Sequence, residues 1–106
     1  MVEEILTMAG VKHRRNRFPK PPAGTYAVWS EYIDTDGPDG MPPTIFRHSA
    51  SIELYESVPD DETELAVEAA LNAAGQHWYK HDRYWIDDEQ LYQTVYEFSY
   101  VSKRRN

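Results

Sequence analysis

The sequence predicts an α+β fold of element order α-β-β-α-β-β, with two helices packed on one face of a four-stranded, mostly antiparallel sheet. Three observations lead there. Residues 89–101 run without proline or glycine through Leu91, Tyr92, Val95, Tyr96, Phe98, Tyr100 and Val101, a composition suited to a half-buried pleated surface. Residues 44–56 alternate, with Phe46, Ala50, Ile52 and Leu54 on one side and Arg47, Ser49, Ser51 and Glu53 on the other. That is the pattern of a sheet with one core face and one wet face. Between these runs lies a segment whose apolar residues recur at helical spacing.

Taken in order, Val2, Ile5, Leu6 and Ala9 mark one face of a short helix, and Gly10 stands where it would stop. About two turns of helix hold only if that face packs on something. Residues 11–24 are basic and then proline-rich. Pro19, Pro21 and Pro22 exclude helix and central strand, so this stretch reads as an extended arm. The first strand, 25–33, points Ala27, Trp29 and Ile33 one way and Tyr26, Val28 and Tyr32 the other. A loop rich in Asp, Gly and Pro leads to the second strand, 44–56.

The segment Ser57-Val58-Pro59-Asp60-Asp61 ends that strand and starts a helix, with Asp60 or Asp61 as the N-cap. Asp61 and Glu64 have the spacing of a capping box. Ala66, Val67, Ala70, Leu71 and Ala74 form its buried face and Gly75 ends it. Strands at 76–86 and 89–101 follow, joined by the acidic turn Ile86-Asp87-Asp88-Glu89.

The chain has 106 residues, enough for one core. It divides into a helix (1–10), an arm (11–24), an α+β body (25–102) and a basic tail (103–106). Without cysteine it carries neither disulfides nor thiolate chemistry, which favours a reducing compartment or indifference to redox. No apolar stretch approaches the roughly 20 residues of a membrane span, and no secretory signal pattern opens the sequence. The net charge of −7 is unevenly distributed. Lys12, Arg14, Arg15, Arg17 and Lys20 form one basic run and Lys103, Arg104 and Arg105 another, whereas the body is acidic. An acidic body argues against wrapping duplex DNA, whose affinity comes largely from phosphate neutralisation.

No residue set points to catalysis, a cofactor or a metal. Counted from Asp34, an EF-hand loop fails at Pro38, Asp39 and Ile45; turn chemistry accounts for the Gly, Pro and Asp there. His77 and His81 sit in a strand pattern, where residues four apart lie about 13 Å apart. His13 and His48 have no identifiable partners. Asp87, Asp88 and Glu89 cluster at a turn, where acids are expected without acid–base chemistry. The nucleophile, phosphate-binding and dinucleotide motifs are absent. The aromatic strand lacks the cationic track that stacking of single-stranded bases would need.

The succession Phe18-Pro19-Lys20-Pro21-Pro22, Tyr26-Ala27-Val28-Trp29, Ser51-Ile52-Glu53-Leu54-Tyr55, Trp78-Tyr79-Lys80, Trp85-Ile86, Glu89-Gln90-Leu91-Tyr92-Gln93-Thr94 and Tyr96-Glu97-Phe98 resembles the tail-terminator, or tail-completion, proteins of long-tailed bacteriophages and prophages. The resemblance covers nearly the whole chain, in order and spacing, on structural rather than catalytic residues. It implies a virion protein, assembled in the host cytoplasm, that forms a homo-oligomeric ring, usually hexameric. Such a ring caps the tail tube, joins it to the head connector or stopper, and lets DNA pass through its lumen without sequence-specific binding. The alternatives are another neck or minor tail component, or a small bacterial adaptor module.

Two helices cover only one face of the sheet, so the other needs a cover, and a neighbouring subunit is the natural one. The candidate oligomer interface is therefore Phe18, Pro21 and Pro22 of the arm with Leu91, Val95 and Val101 of the last strand. If the arm serves assembly alone, deleting residues up to Pro22 leaves a folded monomer.

Overall fold

The computed structural model describes residues 1–37 and 45–103. Most of the Asp/Gly/Pro loop, with Pro42 and Pro43, and Arg104 and Arg105 lie outside the described residues. The elements are α1 (Val2–Ala9), β1 (Lys12–Arg15), β2 (Tyr26–Asp36), β3 (Ile45–Glu56), α2 (Asp61–Ala73), β4 (Trp78–Lys80), β5 (Tyr84–Ile86) and β6 (Leu91–Ser102). The fold is α+β as expected, but the sheet has six strands rather than four, in the order β1-β2-β3-β6-β4 with β5 also on β6.

Both additions have local causes. The first four residues after Val11 form β1, which pairs in parallel with β2, Lys12 opposite Tyr26 and Arg15 opposite Trp29. Its sequence, Lys-His-Arg-Arg, has no apolar alternation, because an edge strand needs only one partner and tolerates charge. The single strand expected at 76–86 is divided. Lys80 pairs with Tyr96, but Tyr84 pairs with Gln93, so residues 81–83 face only two residues of β6. This is a β-bulge, anchored where the His81 N–H donates to the Val95 carbonyl at 2.9 Å. Side chains alternate along a strand, so the extra residue moves Arg83 from the open face to the face bearing the helices.

The core lies between that face and the helices. Val2, Ile5 and Leu6 of α1 and Val67, Ala70 and Leu71 of α2 pack over Ala27 and Trp29 of β2, Ala50, Ile52 and Leu54 of β3, and Tyr96 and Phe98 of β6. The register delivers them together: Trp29 is opposite Ile52, and Ile52 is opposite Tyr96. Because α1 contributes core side chains that are at most 3% exposed, deletion of residues 1–22 would strip part of the core as well as the arm. Both helices end on a left-handed glycine, Gly10 at φ 77° and Gly75 at φ 72°. The Gly75 and Gln76 N–H groups then donate back to the Asn72 and Leu71 carbonyls.

At the start of α2, Asp60 is the N-cap. Its carboxylate accepts from the Thr63 N–H at 3.1 Å and from the Thr25 and Thr63 hydroxyls at 2.7 Å each. These donors hold its pKa below the usual value. Glu64 takes no part in the cap and is buried beside Arg83 and Lys80 instead.

Candidate functional site

Three features stand out beyond the apolar core: the uncovered face of the sheet, and two buried polar clusters at opposite ends of the covered one. On the uncovered face, β2 presents Tyr26, Val28 and Tyr32, β6 presents Leu91, Val95 and Val101, and β4 and β5 present Tyr79 and Tyr84. Tyr32, Tyr79, Tyr84 and Val101 each retain 63–66% of their accessible surface. Ser30, Ser49, Ser51 and Ser99 lie between them. The face is thus mixed, with serines, the charged Asp34, Arg47, Glu53 and Glu97, and exposed tyrosines and Val101 at its margins.

The sequence-predicted candidates all bear on this face but do not form one patch. Phe18 packs edge-on against Tyr26 with ring centres 5.4 Å apart, and Tyr26 stacks on Tyr55 at 5.1 Å. The arm therefore lies on its own domain there. Pro21, Pro22 and Leu91 line one cleft of about 420 Å³ with Tyr26 and Glu89. Val95 is half-buried beside the bulge, and Val101 is exposed at the far end of β6. The Tyr55 hydroxyl donates to Glu53 at 2.6 Å and accepts from Gln93 at 3.1 Å. Burial, then the Glu53 carboxylate, raises the Tyr55 pKa.

The first buried cluster joins α2 to the bulged edge. Lys80 reaches Glu64 at 2.9 Å and Glu68 at 2.7 Å, and Arg83 bonds Glu64 and, at 3.2 Å, Asp61. The Tyr96 hydroxyl donates to Glu68 at 2.8 Å, and its pKa is raised by burial and by that carboxylate. Glu56, fully buried at the end of β3, accepts from the Asp60 N–H at 2.7 Å and the Thr94 hydroxyl at 3.2 Å. Burial and the adjacent Glu64 carboxylate push Glu56 up to about 7. Glu64 is shifted the other way: burial opposes its charge, but Arg83 and Lys80 outweigh that and lower its pKa. Burial also works against the Lys80 ammonium, but Glu68 and Glu64 outweigh it and raise its pKa.

The second cluster crosses three adjacent strands. His48 of β3 bonds the Glu31 carboxylate of β2 through Nδ1, and its Nε2 lies 2.8 Å from Ser102 Oγ of β6. The Tyr100 hydroxyl donates to the same Glu31 oxygen at 3.0 Å, and the Tyr100 and His48 rings stack at 4.3 Å. Burial and the Glu31 carboxylate push Tyr100 up to about 12. These residues floor a cleft of about 760 Å³ beneath α1 and the end of α2, with Met8, Arg15 and Ile33 at its sides. Arg15 lies over the Trp29 ring at 4.9 Å. The order hydroxyl, imidazole, carboxylate is that of a hydrolase triad, which also requires oxyanion donors about 3 Å from the reacting atom. Its evident effect here is to tie the ends of β2, β3 and β6.

Sequence reasoning missed both clusters. Their bonded partners are 4 to 69 residues apart in the chain, and mainly the strand register and the bulge bring them together. Among the described residues no group of three or more metal-ligating side chains forms a candidate metal site, and no helix is long and apolar enough to cross a membrane.

No known protein family and no curated protein matches the sequence. A chain in the solved structure of the virion of a native gene transfer agent particle shares the fold, with a TM-score of 0.58 and 16% sequence identity. The match covers 90% of this chain and 81% of that one.

Proposed function

We propose that the chain is a structural component of a phage-like virion, and within it a tail-terminator subunit. In that role copies form a ring, hexameric in the form the resemblance implies, that caps the tail tube and meets the head connector or stopper. DNA would pass through the lumen without specific binding. The observation that carries this reading is the shared fold with a chain of a gene transfer agent virion along nearly its whole length. The resemblance of the sequence to tail-completion proteins supports the tail-terminator role. The sheet face left uncovered by the helices, with Tyr32, Tyr79, Tyr84 and Val101 exposed on it, supports the reading as a surface available for association.

The acidic body suits a lumen wall, since it repels phosphate and does not retain the passing strand. The role requires no cofactor and no catalysis. The buried polar clusters are read as structural: each joins elements that would otherwise meet only through apolar contacts.

Negative-stain microscopy of the purified protein, with sedimentation velocity, tests the ring. Ring-shaped particles of a single size are the expected result. A monomer at every concentration up to about 1 mM, well above the Kd of a specific assembly, would overturn the ring and favour a small adaptor module. To separate a terminator from another neck component, the gene would be inactivated in the producing phage. A terminator defect gives tails of uncontrolled length that lack heads, whereas normal tails would exclude that role.

A further inference from the structure

The two edges of the sheet carry opposite charge, and we infer that they are the two halves of one head-to-tail contact between copies of this chain. The inference rests on the ring reading above and names the surfaces that would form it. One edge is β1, with exposed Lys12 and Arg14, followed by exposed Arg17. The opposite edge is the bulged pair β4–β5 and its turn, with exposed Asp82, Asp88 and Glu89.

The separation is sharper in the fold than in the sequence. The two cations of the β4–β5 segment, Lys80 and Arg83, are taken up by Glu64, Glu68 and Asp61 on α2. This leaves the acids of that edge without a local counter-charge. Among the described residues, none of Lys12, Arg14, Arg17, Asp82, Asp88 and Glu89 takes part in an ion pair within the chain.

The two edges end the same sheet at opposite sides, in the order β1-β2-β3-β6-β4. A contact between unlike edges is heterologous, and repetition of it closes a ring or extends a filament. A contact between like edges would set cation against cation or acid against acid. The charge pattern thus selects the head-to-tail arrangement and rejects the two-fold dimer. Residues 81–83 bulge, and bulges disfavour continuous strand addition. The contact is therefore carried by charged side chains across the edges rather than by an uninterrupted backbone ladder.

The test uses two variants of the full chain, alone and mixed, at physiological ionic strength, with wild type as the comparator. Arg14→Glu with Arg17→Glu cancels the positive charge of the β1 edge, against the remaining Lys12 and Arg15. Asp82→Lys with Asp88→Lys cancels the negative charge of the other edge, against the remaining Asp87 and Glu89. All four side chains are exposed, and circular dichroism with thermal melting confirms that each variant is folded. Each alone should sediment as a monomer, with apparent association weakened at least tenfold. The equimolar mixture should recover one-to-one pairs, in which the unaltered acidic edge of one variant meets the unaltered basic edge of the other. General repulsion does not explain a loss in the lysine variant, because each Asp→Lys change adds two charges and brings the net charge from −7 to −3.

Assembly of either variant alone to the wild-type extent, or failure of the mixture to form those pairs, would overturn the edge contact while leaving the ring standing on another surface. A wild-type chain that never assembles removes both.

Discussion

The carboxylate of Glu56 accepts the backbone N–H of Asp60 at 2.7 Å, so the last residue of β3 holds the residue that caps α2. In a capping box that N–H is bonded by a Glu or Gln three residues into the helix. Here the partner comes from the strand before it, which leaves Glu64 to pair with Arg83 and Lys80. The arrangement has a pH signature. Glu56 is raised from 4.5 to about 7 by burial and by Glu64, so the folded state holds a proton that the unfolded chain releases at a lower pH. The stability this proton gives is fully present below about pH 4.5 and is lost as pH rises through 7. Glu64 has the opposite sign: its pKa is lowered, so its contribution is present above pH 4.5 and is lost on acidification. Between pH 6 and 8 the Glu56 effect is on the order of 1 kcal/mol, and the melting temperature should fall by a few degrees.

Glu56→Gln should remove that dependence. The amide oxygen accepts from Asp60, and the amide N–H₂ stands in for the acid proton directed at Glu64. Melting followed by circular dichroism at pH 6 and pH 8 should give nearly equal midpoints for the variant, at or above wild type at pH 8. An unchanged pH slope would show that Glu56 is ionised throughout.

His48 links three strands, so its truncation should cost more than its volume implies. His48→Ala removes a partner of Glu31, a ring stacked on Tyr100 and a contact to Ser102, and it leaves the Glu31 carboxylate with the Tyr100 hydroxyl. Loss of one partner of a buried polar pair costs about 2–4 kcal/mol. Urea denaturation should show that loss for His48→Ala, with partial recovery in the double variant with Glu31→Gln, which removes the unpaired charge. A cost below about 0.5 kcal/mol, typical of surface sites, would mean that the network does not tie the strands.

The parts of this fold legible in the sequence are those whose signal is local. Both helices, their glycine stops and the facing of Trp29, Ile52, Leu54, Tyr96 and Phe98 follow from periods of 3.6 and 2. What depends on register was hidden. β1 carries four polar residues and becomes a strand only because β2 offers it an edge. No glycine marks the bulge at 81–83, yet one extra residue reverses the facing of Arg83 and completes the charge cluster. Phe18 was legible as an apolar residue in an extended arm. Nothing local showed that Tyr26 of its own domain receives it.

The N-terminal helix gives the clearest stability prediction. Leu6 is fully buried between α2 and the sheet, and Leu→Ala at such a site costs about 2–5 kcal/mol through lost burial and the cavity left behind. Chemical denaturation of Leu6→Ala should show that cost. Deletion of residues 1–22, which removes α1 and β1 together, should give a chain without a cooperative transition. A folded deletion variant would mean that α1 is an accessory element despite its buried face.

Val95 tests the uncovered face apart from the charged edges. It is half-buried, on the open side of β6, and its carbonyl accepts the His81 N–H that anchors the bulge. A glutamate there keeps the backbone bond, because the side chain points away from the helices. Val95→Glu should therefore melt several degrees below wild type but still cooperatively, in line with a half-buried substitution of about 1–2 kcal/mol placed opposite Glu53. On the interface reading it should also abolish ring-shaped particles, since a carboxylate buried without a partner between subunits costs several kcal/mol. Sedimentation and melting on the same preparation separate the two effects. Intact rings at that melting point would show that this part of the face stays open to solvent in the assembly, and global unfolding would assign Val95 to the monomer's own packing.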